Sequence, residues 1–133
     1  MALLPKITDA AANPAVKAIF DDIRATRNTD YINNIWRVMA NHPDNLARSW
    51  EAMKTIMVDG ALNKRTKELI YLAVSMTNQC DYCINTHTAA ARKAGMDDAM
   101  LGELIAVVGL ANKGNKDVKA YQVEIDERFL PDA

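Results

Sequence analysis

The chain has 133 residues, of which 50% are hydrophobic and 25% charged, and its formal net charge is −1. This length fits one folded domain over residues 1–133, and its 5 Gly and 4 Pro argue against disorder. The balanced charge gives no reason to expect nucleic acid, and the longest apolar run, residues 104–111, is too short to span a membrane. Because the N-terminus lacks a secretory-signal pattern, we expect a cytoplasmic protein.

Helical spacing of apolar residues recurs along the first half of the chain, and no segment alternates as a strand would. Asn13 followed by Pro14 is typical of a helix start, so a first helix is predicted over about 14–26. A second helix is predicted from about residue 31 until Pro43 stops it, and a third from about residue 46 to Gly60.

The second half of the chain predicts four more helices. Asn63 can cap the fourth, and the fifth ends before Gly95. The sixth is predicted to begin at Asp97 or Asp98 and to end near residue 112, where the polar run NKGNK separates it from a seventh over about 117–129. The predicted architecture is an all-α, single-domain bundle of about seven helices.

The sixth predicted helix is apolar on nearly every side between Met100 and Ala111. A helix with this pattern must be buried all round. In a chain of this length, it lies either at the centre of the bundle or in an interface between subunits.

The segment NQCDYCINTH, residues 78–87, contains both cysteines of the chain and one of its two histidines. On a helix, Cys80, Cys83 and His87 lie at positions i, i+3 and i+7, which share one face. The two cysteine Cα atoms would then be about 5 Å apart, within the range that a disulfide tolerates. Because an isolated cysteine pair in a reducing compartment is more often catalytic or metal-binding than structural, the segment predicts redox chemistry.

The pair is predicted to lie in the first turn of its helix, because a break precedes Cys80. The unpaired N–H groups and the helix dipole stabilise a thiolate there. His87, one turn beyond Cys83, is placed to accept the proton of that thiol. Glu68 lies in the preceding helix, 12 residues before Cys80. These residues predict a carboxylate–imidazole–thiol relay.

Each of these residues also has another interpretation. A lone Glu on a helix is usually solvated, and a lone His is more often a surface residue than a catalyst. Cys80, Cys83 and His87 also have a spacing that could hold zinc, with Glu68 or His42 as the fourth ligand. Structural zinc sites usually draw a second ligand pair from another element, and the sequence has no such pair of Cys or His. We therefore expect no metal and no cofactor.

The run from Arg65 to Gly95 resembles the signature of the carboxymuconolactone decarboxylase and alkylhydroperoxidase D superfamily. The alkylhydroperoxidase D branch has a Glu, then C-x-x-C, then a His four residues on, and an Ala-rich stretch that ends in Gly. The matching positions in this chain are Glu68, Cys80, Cys83 and His87. The preceding segment, with His42-Pro43, is also similar, so the resemblance covers about residues 30–111.

The resemblance implies an all-α fold that assembles into homotrimers or hexamers. It also implies a peroxidase cycle in which a small peroxide oxidises Cys83, Cys80 resolves the sulfenic acid, and an external dithiol resets the pair. The best-known members of the branch have a His inside C-x-x-C, where this chain has Tyr82. The alternative is a cofactor-free decarboxylase, or a binding module that keeps only the fold. Lactone decarboxylases of the superfamily lack the cysteine pair, which argues against that activity in this chain.

Overall fold

The computed structural model describes residues 3–131, and this part of the chain is all-α, as predicted, with no β-strand. None of its helices is long and apolar enough to cross a membrane. Its elements are α1 (Pro14–Arg27), α2 (Asn34–Met39), α3 (Pro43–Ile56), α4 (Lys64–Thr77), α5 (Asp81–Lys93), α6 (Asp98–Ala120) and a 3-10 turn (Glu127–Phe129).

The described chain forms two compact units, residues 3–58 with α1 to α3 and residues 59–131 with α4 to α6. The prediction of one domain over residues 1–133 stays a prediction. In the first unit, α3 packs against α1 and α2. The buried core of that unit consists of Val16, Phe20, Ile23, Ile32, Trp36, Ala40, Leu46 and Trp50.

Local hydrogen bonds explain where the helices of the first unit begin. The Asn13 side chain accepts the backbone N–H of Val16 at 2.9 Å, which confirms the predicted start of α1. His42 plays the same part for α3, because its Nδ1 accepts the backbone N–H of Asn45 at 3.1 Å. Pro43 is therefore the first residue of α3, whereas α2 begins at Asn34 and already ends at Met39, so the second helix is shorter than the one predicted from about residue 31 to Pro43.

The third helix lies earlier in the chain than predicted, because it begins at Pro43 rather than near residue 46. It ends at Ile56 rather than at Gly60, because Met57 leaves the helical conformation with ψ at 47°. The residues that follow bond to one another instead: the Gly60 N–H donates to the Leu62 carbonyl at 2.9 Å. A glycine after an apolar stripe marked the loop correctly, but not the last helical residue.

A polar contact completes the core of the first unit. The Trp50 ring is buried, and its Nε1–H donates to Asp22 at 2.7 Å, while the Lys54 ammonium lies 2.9 Å from the same carboxylate. The hydrogen bond from Trp50, followed by the one from Lys54, lowers the pKa of Asp22 below its usual value. The buried indole N–H is thereby satisfied.

In the second unit, α4 packs against both α5 and α6, around the buried residues Leu72, Ala91 and Met96. The side chain of Asn63 accepts the Thr66 N–H and caps α4, as predicted. After α5, Gly95 takes a φ of +107°, which confirms its place as the terminator of that helix.

The last part of the second unit differs from its prediction, because six α-helices are found where about seven were expected. The side chain of Asp97 accepts the Met100 N–H and begins α6 as predicted, but the helix continues through NKGNK to Ala120. Asn and Lys are tolerated inside an exposed helix, and one Gly costs only about 1 kcal/mol. The predicted seventh helix over 117–129 is reduced to the end of α6 and the 3-10 turn at Glu127–Phe129.

Of the two places expected for the sixth helix, the centre of the bundle is wrong for the described residues, whereas an interface between subunits stays a prediction. No residue of α6 is buried, and Val107 and Leu110 are 64% and 73% exposed. Together with Val118, these residues follow one side of the helix and form the exposed stripe of α6. Such a stripe is typical of an interface.

Candidate active site

The short connection between α4 and α5 positions the cysteine pair. α4 ends at Thr77, Gln79 takes the left-handed conformation with a φ of 56°, and α5 begins at Asp81. The backbone N–H of Cys80 donates to the Ser75 carbonyl in the last turn of α4 at 3.0 Å. This bond ties Cys80 to the end of one helix immediately before the next begins.

Cys80 is the N-cap of α5 rather than a residue of its first turn. Its backbone is extended, and its Sγ accepts the backbone N–H of Cys83 at 3.3 Å. Cys83 and His87, in contrast, lie four residues apart within α5, so they share one face of the helix. The free N–H groups at the start of a helix favour a negatively charged sulfur.

The two cysteines are joined by a disulfide, and their Cα atoms lie 5.3 Å apart. This separation matches the spacing predicted for two cysteines in C-x-x-C at a helix start. Both residues are partly exposed. Neither cysteine is therefore sealed in the core of the second unit.

Glu68 and His87 form the second half of the site. The His87 Nδ1 lies 2.8 Å from the Glu68 Oε2, and Glu68 is only 4% exposed. A carboxylate can be buried to this degree only with a hydrogen-bonding or charged partner. When Glu68 is ionised and the imidazole is neutral, the shared hydrogen belongs to Nδ1, and Nε2 is left as an acceptor.

Tyr71 is a residue of this site that the sequence analysis did not single out. Its ring stacks on the His87 imidazole with a centroid distance of 3.6 Å and an interplanar angle of 21°. Tyr71 follows Glu68 by three residues on α4, so both side chains project from the same face of that helix. The spacing in the sequence predicts that Glu68 and Tyr71 share a helix face. It does not predict the contact with His87, which depends on the packing of α5 against α4.

The arrangement does not favour the zinc interpretation. Within residues 3–131, no three side chains of the His, Cys, Asp and Glu types are grouped so as to hold a metal ion. The two cysteine sulfurs are bonded to each other. His42, one of the suggested fourth ligands, caps α3 through its Nδ1.

These features define an all-helical protein built around a C-x-x-C pair at the N-terminus of a helix. The chain belongs to the carboxymuconolactone decarboxylase family, whose model matches residues 44–123. It is also similar to the crystal structure of the alkylhydroperoxidase AhpD core from Rhodospirillum rubrum ATCC 11170, with 52% identity, a TM-score of 0.95 and 99% coverage of each chain. The resemblance found in the sequence is thus confirmed, together with the fold it implied.

Two curated relatives match over shorter regions. "Uncharacterized protein 4 in cox locus" of Paracoccus denitrificans is 41% identical over 61 residues, which cover 46% of this chain and 55% of that protein. Protein YdfG of Bacillus subtilis (strain 168) is 44% identical over 52 residues, which cover 34% of this chain and 35% of that protein. This chain therefore spans only about half and about one third of these relatives.

Proposed function

We propose that this protein is a thiol-dependent peroxide reductase that uses Cys80 and Cys83 as its redox pair. The observation that carries the proposal is the disulfide at the start of α5, on the helix that also holds His87 against the buried Glu68. The similarity to an alkylhydroperoxidase core supports the same class of reaction. The disulfide also favours thiol chemistry over the decarboxylase activity in the family's name. We propose the cytoplasm as its compartment, where an isolated cysteine pair can be cycled by reduction.

The proposed cycle begins with the reduced pair. The Cys83 thiolate attacks one oxygen of the peroxide, the O–O bond breaks, and the other oxygen leaves as an alcohol or water after taking a proton. Cys83 is then a sulfenic acid. The Cys80 thiolate attacks its sulfur, hydroxide leaves as water after protonation, and the disulfide forms. An external dithiol supplies two electrons and two protons to regenerate both thiols.

Glu68 and His87 serve as the proton relay in this proposal. The imidazole takes the Cys83 proton through Nε2, directly or through a water, while the carboxylate at Nδ1 keeps the required tautomer and stabilises the imidazolium. The same imidazole can return the proton to the leaving oxygen. Tyr82, which replaces the histidine found inside C-x-x-C in the best-known members of the branch, leaves His87 as the only imidazole in this motif.

Substitution of each cysteine is expected to affect peroxide consumption in a different way. Cys83→Ser should abolish peroxide consumption, because the attacking sulfur is lost. Cys80→Ser should still react once and accumulate a sulfenic acid on Cys83 that a sulfenic-acid-specific nucleophile can trap. The measurement is peroxide consumed per chain in a single turnover, with the trapped adduct located by mass spectrometry.

Serine suits this test because it is itself a good N-cap, so Cys80→Ser should keep the start of α5 intact. Circular dichroism provides the check on the fold. If both variants lost the first turnover equally, Cys83 would not be the attacking thiol. If Cys83→Ser retained the reaction and Cys80→Ser lost it, the two roles would be reversed.

The relay is tested by the pH profile of Cys83 alkylation in the Cys80→Ser background. His87→Ala should shift the profile to higher pH and slow the peroxide step about 100-fold or more, because the thiol proton loses its acceptor. Glu68→Gln should cause a smaller change of the same sign, since it weakens the support of the imidazolium but leaves the base in place.

Matched controls come from the first unit. His42→Asn replaces the other histidine with a residue that still caps a helix, and Glu51→Gln neutralises an exposed carboxylate. Both should leave the alkylation profile unchanged. Profiles of His87→Ala and Glu68→Gln that superimpose on that of Cys80→Ser alone would remove the relay from the mechanism.

We also propose that the protein is a homotrimer or a homohexamer, supported by the exposed stripe of α6. A monomer rarely leaves several large apolar side chains in line on one helix.

Sedimentation at micromolar concentration should give the mass of three or six chains. Leu110→Lys should weaken this assembly, because it places a charge in the stripe, whereas Leu3→Lys, outside it, should not. A wild-type protein that sediments as a monomer would contradict this proposal.

A further inference from the structure

His87 is held from two directions by side chains of α4. Glu68 contacts the edge of the imidazole at Nδ1, 2.8 Å away, and Tyr71 covers one face, with the ring centroids 3.6 Å apart. Both contacts cross from α4 to α5, so the position of the imidazole depends on the packing of these two helices. His87 is itself only partly exposed, with 13% of its side chain accessible.

The two contacts restrict different movements. A hydrogen bond at Nδ1 fixes the distance and the tautomer, but the imidazole can still tilt around the line between Nδ1 and the carboxylate. Rotation about the bond that carries an imidazole ring is broad and weakly restricted by itself. A ring stacked at 3.6 Å blocks this tilt, because the imidazole plane must stay nearly parallel to the phenol. The stack therefore sets the direction in which Nε2 points.

The geometry of the stack also bears on the charged state of the relay. Two neutral rings prefer an offset or edge-to-face arrangement with centroids 4.5–7 Å apart, whereas a cation is attracted to the face of a tyrosine ring. The close, nearly parallel contact of Tyr71 and His87 places the imidazole over such a face. An imidazolium formed there is stabilised by Glu68 at its edge and by the phenol at its face.

We propose that Tyr71 is a positioning residue for the proton relay, acting through the face of its ring on the orientation of His87. This inference rests on the proposed function, because it gives Tyr71 a part in the reaction of Cys83. The hydroxyl group is not needed for this role, since the contact is made by the ring. Phenylalanine should therefore replace Tyr71, and leucine, which keeps an apolar side chain and favours a helix, should not.

The experiment compares Tyr71→Phe and Tyr71→Leu in the Cys80→Ser background, with two readouts. The first is the NMR signals of the carbon-bound imidazole protons of His87. The chain has only two histidines, so His42→Asn assigns the spectrum, and His42 is an internal control in the other variants. The second readout is the rate of Cys83 alkylation at fixed pH, measured beside that of His87→Ala.

With Tyr71→Phe, the His87 protons should keep the upfield shift caused by a ring above them, and alkylation should proceed at the parent rate. With Tyr71→Leu, that shift should be lost, and alkylation should slow roughly tenfold, because a misoriented base forfeits part of the roughly 10²–10⁴-fold that general-base catalysis supplies. The His42 signals and the circular dichroism spectrum should be unchanged in both variants.

Three results would overturn the inference. Tyr71→Leu could keep the parent His87 signals, which would show that the stack does not orient the ring. Tyr71→Leu could lose the shift yet alkylate at the parent rate while His87→Ala is slow. This result would refute the positioning role of Tyr71 but not the proton relay of Glu68 and His87. If His87→Ala itself alkylated at the parent rate, the proposed relay would fail, and the positioning role would fail with it.

Discussion

The buried carboxylate of Glu68 is the constraint on which the rest of the site depends. A carboxyl group that is only 4% exposed needs a polar partner, and the partner in the structure is the Nδ1 of His87 on the neighbouring helix. The contact can form only when α5 lies against α4 in the observed register. The same packing brings the Tyr71 ring onto the imidazole and contributes to the core around Leu72 and Ala91. Packing and chemistry are therefore set by one arrangement of two helices.

The start of α5 shows how the fold accommodates its reactive pair. Asn63 and Asp97 cap α4 and α6 with oxygen acceptors, which are the usual choice, whereas α5 is capped by the sulfur of Cys80. Sulfur is a weak hydrogen-bond acceptor, so a cysteine at the N-cap stabilises the helix less than an Asn or Asp would. Departures of this kind from local preference are expected at functional sites. The departure supports a chemical role for Cys80 beside its structural one.

What the sequence predicted correctly was mostly local. The caps at Asn13, Asn63 and Asp97 and the turn at Gly95 depend on residues within one helical turn, so their side chains alone indicate them. The spacing of Cys80 and Cys83 is equally local.

The errors concern tertiary context. The polar run after residue 112 looked like a break, but an exposed helix tolerates such residues, so α6 continues. Its apolar pattern indicated burial at the centre of the bundle or in an interface; the first is wrong, because no residue of α6 is buried within the described chain, and the second stays a prediction. Tyr71 was missed because its partner, His87, lies on another helix. A single sequence does not show which residues of two helices face each other. The contact between Glu68 and His87 was anticipated through the family resemblance and the hypothesis of a relay. The presence of a Glu and a His in the sequence would not by itself have predicted that they meet.

The most direct test of the central claim is a thiol titration of the reduced protein before and after one equivalent of peroxide. If Cys80 and Cys83 are the redox pair, the protein should have two thiols per chain at the start, none after peroxide, and two again after a dithiol is added and removed. Mass spectrometry should locate the intermediate disulfide between Cys80 and Cys83. Two thiols that persist while the peroxide concentration stays constant would show that this pair does not reduce the peroxide.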